Sequence, residues 1–78
     1  MLKSPLWRFH HPQCTLYICR ENNEYFIVHD DMYYGAYISA DVAADDVFTQ
    51  TTGCNEWDLS QIPDEEIPRD LDDWERIQ

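Results

Sequence analysis

Residues 14–39 read CTLYICRENNEYFIVHDDMYYGAYIS, from Cys14 to Ser39. Two runs rich in β-branched and aromatic residues flank the polar break Arg20-Glu21-Asn22-Asn23, which is a hairpin signal. Successive strand side chains alternate between faces, so Leu16 and Ile18 share a side with Cys14 while Tyr17 and Cys19 take the other. Phe26 and Val28 oppose Tyr25 and Ile27 with the same period. Asp30-Asp31 marks a second turn, and MYYGAYIS reads as a third strand with Tyr33 and Tyr37 on one side and Tyr34 and Ile38 on the other. The expectation is an antiparallel β-meander over residues 14–39. Both of its faces are apolar enough to need cover.

Outward from the meander, Ser39 suits the N-cap of a helix expected over residues 40–52. There Ala40, Ala43, Ala44, Val47 and Phe48 form one stripe, Asp41, Asp45 and Gln50 fall opposite, and Gly53 is placed to end the helix. Asp41 in the first turn suits the helix dipole. CNEWDLSQI reads as extended or irregular. Pro63 and Pro68 bracket a turn or short helical segment. Pro68 then opens a last helix, RDLDDWERI, whose Leu71, Trp74 and Ile77 would dock on the sheet. This makes residues 63–78 an acidic C-terminal segment ending in a short helix. No repeat or long linker divides the chain, so residues 1–78 are read as a single small α+β domain: a three-stranded antiparallel meander with two short helices.

A domain of 78 residues buries only about 60% of the surface of its unfolded chain. With 44% hydrophobic and 14% aromatic residues and two glycines, a core is nevertheless expected. MLKSPLWRFHHPQ lacks the apolar run of about 7–15 residues that a signal peptide needs, and no stretch reaches the roughly 18–20 apolar residues of a membrane span. These features suggest a cytoplasmic protein of the host cell. Three cysteines, an odd number, suggest reduced thiols rather than a disulfide framework.

Charge is the outlying property, at a formal −11. Up to Ser39, Lys3, Arg8 and Arg20 nearly balance Glu21, Glu24, Asp30 and Asp31. After it, Arg69 and Arg76 face Asp41, Asp45, Asp46, Glu56, Asp58, Asp64, Glu65, Glu66, Asp70, Asp72, Asp73 and Glu75. Solubility needs a net charge of only about 2–8, and self-repulsion of this density works against folding. These twelve acids are therefore the candidate partner-binding residues. Helical neighbours three or four apart stand about 5–6 Å apart at Cβ, comparable to the phosphate step of a nucleic-acid strand. A row of such carboxylates can imitate the polyanion that basic DNA-binding proteins grip. The expected partner is a basic nucleic-acid-binding protein or complex, with a CRISPR effector among the candidates, and neither nucleic acid itself nor a membrane.

Competing chemistries have less support. High-salt adaptation should coat the surface evenly, and the first half is near neutral. The calcium-loop pattern D-x-[DN]-x-[DN]-G is absent. His10, His11, Cys14, Cys19 and Cys54 invite a zinc reading, but their spacing matches no common zinc pattern, and Cys14 and Cys19 should face opposite sides of a strand. No G-x-S-x-G, phosphate loop or H-E-x-x-H occurs, and nothing in the sequence prefers one thiol as a partner for His29. The expectation is no enzyme, no metal and no cofactor.

In size, sequence pI of about 4.2 and acid-rich segments, notably ADVAADD and PDEEIPRDLDDWE, the chain resembles the small acidic proteins that phages and other mobile elements use against host defence. DNA-mimicking anti-CRISPR and anti-restriction proteins belong to that group. The resemblance implies an inhibitor that competes with nucleic acid for a basic channel on a defence complex or nuclease. An acidic immunity or antitoxin-like protein covering a basic toxin is one alternative; a housekeeping domain with merely solvated acids is another. On the mimic reading, Asp70, Asp72, Asp73 and Glu75 should be replaceable by Asn or Gln without loss of fold.

Overall fold

The computed structural model describes residues 5–78; Met1–Ser4, with Lys3 and the start of the N-terminal reading, lie outside them. Five antiparallel strands form one sheet: β1 (Pro5–His11), β2 (Cys14–Glu21), β3 (Glu24–His29), β4 (Met32–Tyr37) and β5 (Glu75–Arg76), in the spatial order β4-β3-β2-β1-β5. The main helix is α1 (Ala40–Thr49), followed by the single turn α2 (Asn55–Asp58). Two 3-10 turns, Asp64–Glu66 and Leu71–Asp73, complete the second layer.

The two expected turns work through backbone geometry. Asn22 and Asn23 have φ of 53° and 66°, and Asp30 and Asp31 have φ of 50° and 65°. Left-handed backbone at both central residues is the requirement of a type I′ hairpin, and Asn and Asp accept that region because their short polar side chains bond locally. The registers Glu21↔Glu24 and His29↔Met32 follow.

The sheet has more strands than the expected three. β1 was hidden because Arg8 and His10 interrupt its apolar residues, yet Trp7, Phe9 and His11 keep the period of two and pair with Ile18, Leu16 and Cys14. β5 takes the place of the expected last helix. Asp70 accepts from the Asp72 N–H at 3.0 Å, and Asp73 accepts from the Arg69 N–H at 3.1 Å. Such side-chain bonds to backbone compete with the helical ladder, and a short acidic segment has little helical stability of its own. The chain instead turns once and extends from Trp74, pairing Glu75 and Arg76 with Arg8 and Trp7. Trp74 still docks at 5% exposure, but Ile77 is 38% exposed, so the anticipated stripe is not one buried face.

Smaller differences have local causes. α1 ends at Thr49 rather than residue 52, because Gln50 adopts left-handed backbone and its N–H bonds back to Asp46 and Val47; Gly53 lies in the following loop. Residues 55–58, expected to be extended or irregular, form α2. In β4, Gly35 at φ 76° and a register shift opposite Tyr25 and Ile27 change the phase of the strand. Tyr34 and Tyr37 consequently both pack against the core, rather than opposing one another. The fold is a small α+β unit with a five-stranded antiparallel sheet and one main helix. No helix among the described residues is long and apolar enough to cross a membrane.

The core lies between one sheet face and the helical layer. Leu16, Ile18 and Ile27 meet Ala43, Ala44 and Val47 of α1, with Trp57, Ile62, Ile67 and Trp74 closing the edges. The Ser39 hydroxyl caps α1 by accepting from the Val42 N–H at 3.2 Å. Two buried indoles differ in their polar ends. The Trp57 Nε1–H donates to the Val47 carbonyl at 2.9 Å, whereas the Trp74 Nε1–H has no partner among the described residues. An unsatisfied buried donor costs about 1–3 kcal/mol. Trp74→Phe is therefore expected to change unfolding free energy in urea by less than about 1 kcal/mol, and Trp57→Phe to cost about 1–3 kcal/mol.

Candidate functional site: an acidic layer and a histidine cleft

Burying Ala40, Ala43, Ala44 and Val47 against the sheet turns Asp41 and Asp45 of α1 outward. The Asp64–Glu66 turn exposes all three of its acids, and Asp70, Asp72 and Asp73 are exposed beside it. A groove of about 370 Å³ brings Asp64, Glu65, Glu66 and Asp73 around Arg69 and Phe9. The Leu71–Asp73 turn packs on α1, and the Arg69 guanidinium stands 5.2 Å from the Phe48 ring centre. The acids of α1 and of the C-terminal segment thus belong to adjoining parts of one layer. Residues 40–73 contain one basic side chain, Arg69.

The twelve candidate acids separate by what they touch. Asp58 holds the loop before α2, accepting from the Thr52 N–H at 3.0 Å, the Thr52 hydroxyl at 2.9 Å and the Gly53 N–H at 2.8 Å. Glu66 meets His11 Nε2 at 2.8 Å, and Glu75 accepts from Arg8 at 2.6 Å. Asp46 stands near the Tyr37 hydroxyl; burial first, then the interaction with the Asp46 carboxylate, hold Tyr37 well above its ordinary ionisation range. Glu56 lies apart, in a second cleft. Asp41, Asp45, Asp64, Glu65 and Asp72 have no side-chain hydrogen bond or ion pair among the described residues. Of the four acids expected to be replaceable by Asn or Gln, three have internal contacts: Asp70 and Asp73 accept from backbone N–H groups and Glu75 accepts from Arg8.

The second cleft, about 680 Å³, lies where the β1–β2 and β3–β4 turns meet the start of α2. Its centre is His29, at the end of β3. His29 Nδ1 lies 3.2 Å from the Thr15 carbonyl and 3.5 Å from Cys14 Sγ. Nε2 lies 2.9 Å from Glu56 and 3.4 Å from Asp30. Burial disfavours charge on His29, but the Glu56 hydrogen bond, the Thr15 carbonyl and the Asp30 and Glu56 charges outweigh it and raise its pKa. Cys14, His29 and Glu56 line up like a nucleophile, base and orienting acid. The Cys14 thiol, however, is pushed up to about 11, first by burial and then by its neighbours Cys54, Glu56 and Asp30. A thiol that keeps its proton is a poor nucleophile.

The sequence-level zinc grouping is not assembled. Cys14 lines the cleft with His10 and His11. Cys19 points to the opposite sheet face, as its odd spacing from Cys14 requires. His10 pairs with Thr15 Oγ1 at 2.9 Å and His11 with Glu66. Sequence reading had placed Asp30 in a turn and had no partner for His29, because Glu56 arrives 27 residues later. The available hint was a histidine directly before a left-handed Asp-Asp turn, a position that ends a strand at the sheet margin.

Cys19 is fully buried, and burial pushes its thiol up from 9.0 to about 11. Unfolded thiols ionise first as pH rises, so the stability this buried thiol contributes is present below pH 9 and is lost between 9 and about 11. Denaturation midpoints of wild type and Cys19→Ala should converge over that window. Thiol reagents should label Cys19 rapidly only after unfolding.

No family model, curated protein or solved structure matches this chain.

Proposed function

We propose that this protein is a polyanion mimic: a non-enzymatic inhibitor that occupies the nucleic-acid-binding surface of a basic host protein, in the manner of DNA-mimicking anti-CRISPR and anti-restriction proteins. The observation that supports this reading best is the segregation of charge. The helical layer turns Asp41, Asp45, Asp64, Glu65 and Asp72 outward with no ion pair among the described residues, while the strands beneath it are close to neutral. Solvated carboxylates fixed on packed elements steer a cationic partner over a range of about 8–10 Å at ordinary ionic strength. They stand in for phosphates as acceptors for its lysine and arginine side chains, and present no base edges. A CRISPR effector, a restriction enzyme or another nuclease offers the required basic channel.

The test is affinity capture from host lysate, eluted in parallel by a salt gradient and by duplex DNA, followed by titration of the captured protein. The expected partner is a nucleic-acid-binding protein released by duplex DNA. The variant D41N/D45N/D64N/E65Q/D72N should bind it more weakly by about 1–5 kcal/mol, roughly 5- to 5,000-fold, given about 0.2–1 kcal/mol for each of the exposed pairs. Its dependence on salt should also be shallower. Equal binding by that variant would overturn the proposal. Release by salt but not by saturating duplex DNA would also overturn it, in favour of an immunity-type protein with a single cognate toxin.

A further inference from the structure

Among the described residues, His29, Asp30 and Glu56 bring one imidazole nitrogen and two carboxylate oxygens within 4.8 Å of one another. The separations from Nε2 are 2.9 Å to Glu56 Oε2 and 3.4 Å to Asp30 Oδ2. Nitrogen and oxygen ligands held about 2.0–2.2 Å from a metal ion lie about 3.0–3.5 Å from each other in octahedral or tetrahedral shells. Both separations are close to such a coordination edge.

The other ring nitrogen selects the chemistry. Nδ1 lies 3.2 Å from the Thr15 carbonyl oxygen, which can only accept, so Nδ1 carries the N–H there. Nε2, 2.9 Å from Glu56 and 3.4 Å from Asp30, faces two acceptor-only carboxylates, so it either carries a proton bonded to Glu56 or, with that proton displaced, turns its lone pair toward both. An unshared pair facing two anions is repelled by both, and a cation between them, a proton or a metal ion, removes the repulsion. An N–H bonded to a backbone carbonyl is also how metal-ligating histidines are held in the correct tautomer. The His29 side chain is 9% exposed and so is a fixed anchor, while Asp30 and Glu56 are 77% and 71% exposed and free to adjust around an ion. The remaining groups nearest the ring are the Cys14 thiol and the Thr15 carbonyl, neither of them cationic.

We propose that His29, Asp30 and Glu56 bind one first-row divalent metal ion of the Zn²⁺ class, with water from the cleft filling its remaining positions. An imidazole nitrogen in the set favours such an ion over Mg²⁺ or Ca²⁺, which prefer oxygen alone. The ligands come from a strand end, a turn and a helix start, which is why neither a calcium loop nor a paired-thiol spacing announced them. The five unpaired acids of the partner surface take no part, so the site stands independently of the proposed inhibition.

Calorimetric titration of the folded protein with Zn²⁺, in excess Mg²⁺ to saturate diffuse binding to the acidic layer, tests this. Wild type should bind one equivalent, and the His29 ring nitrogens should shift in the nitrogen-edited NMR spectrum. Glu56→Gln, a change at an exposed position that leaves the core untouched, should weaken binding at least about tenfold, as should His29→Gln, while Asp72→Asn should leave it unchanged. Equal Zn²⁺ affinity in wild type and Glu56→Gln would overturn the proposal. So would displacement of Zn²⁺ by the excess Mg²⁺, or shifts confined to His10 or the cysteines.

Discussion

Trp57→Ala is expected to remove a large share of the domain's folding stability. Trp57 has no exposed surface, and its ring meets Phe9 of β1 edge-on at 5.8 Å. Its indole N–H reaches the Val47 carbonyl at the end of α1. One side chain therefore joins α2, α1 and β1. Truncating a buried Trp to Ala costs about 3–5 kcal/mol through lost transfer energy and the cavity left behind. A domain of 78 residues has a total stability of only about 4–12 kcal/mol at the usual values per residue, and here self-repulsion of the acidic layer reduces it further. Far-UV circular dichroism against urea should show a broad, low-midpoint transition or none. A cooperative transition within about 1 kcal/mol of wild type would mean that Trp57 does not tie these elements together.

The second large effect is expected at Asp58. Its carboxylate gathers two backbone N–H groups and the hydroxyl of buried Thr52, so Asp58→Ala strands three donors in the loop that positions α2. Hydrogen bonds to a charged acceptor contribute about 1.5–3 kcal/mol each and are not additive, which gives an expected loss of about 2–4 kcal/mol. Asp72→Asn, with no internal partner to lose, should fall within about 0.5 kcal/mol of wild type. Denaturant midpoints of these two variants measure directly how far the acids divide into those that build the fold and those left over for a partner. Similar midpoints for both would remove that division.

How much was legible depended on whether the deciding interaction was local. The β2–β3–β4 hairpins were readable because Asn22-Asn23 and Asp30-Asp31 set their own turns, and the start of α1 was readable because Ser39 caps it. β1 was not, since its partner lies across a turn that Pro12 and Gln13 do not announce, and alternate polar residues masked its apolar face. The last segment was misread because the spacing of Leu71, Trp74 and Ile77 suits a helix. Capping by Asp70 and Asp73, and the free edge of β1, favour a turn and a strand, and neither was visible one residue at a time. The acidic character of the second half was legible in full. Its division into fold-building and free carboxylates, and the meeting of His29 with Glu56, required the tertiary structure.

The shortness of β5 bears on how copies of this chain avoid sticking to each other. With β5 spanning Glu75–Arg76, no strand among the described residues lies beside the outer backbone of β1 from Phe9 to His11, an opening of the kind through which sheets of separate molecules can join. Phe9 borders the groove of Asp64, Glu65 and Glu66, and Glu66 reaches His11. Carboxylates stand guard along the exposed margin, and two approaching molecules would bring like charges together before their backbones could meet. Removing those charges, or lowering the pH until they are neutral, should therefore promote self-association through this margin even where each molecule remains folded.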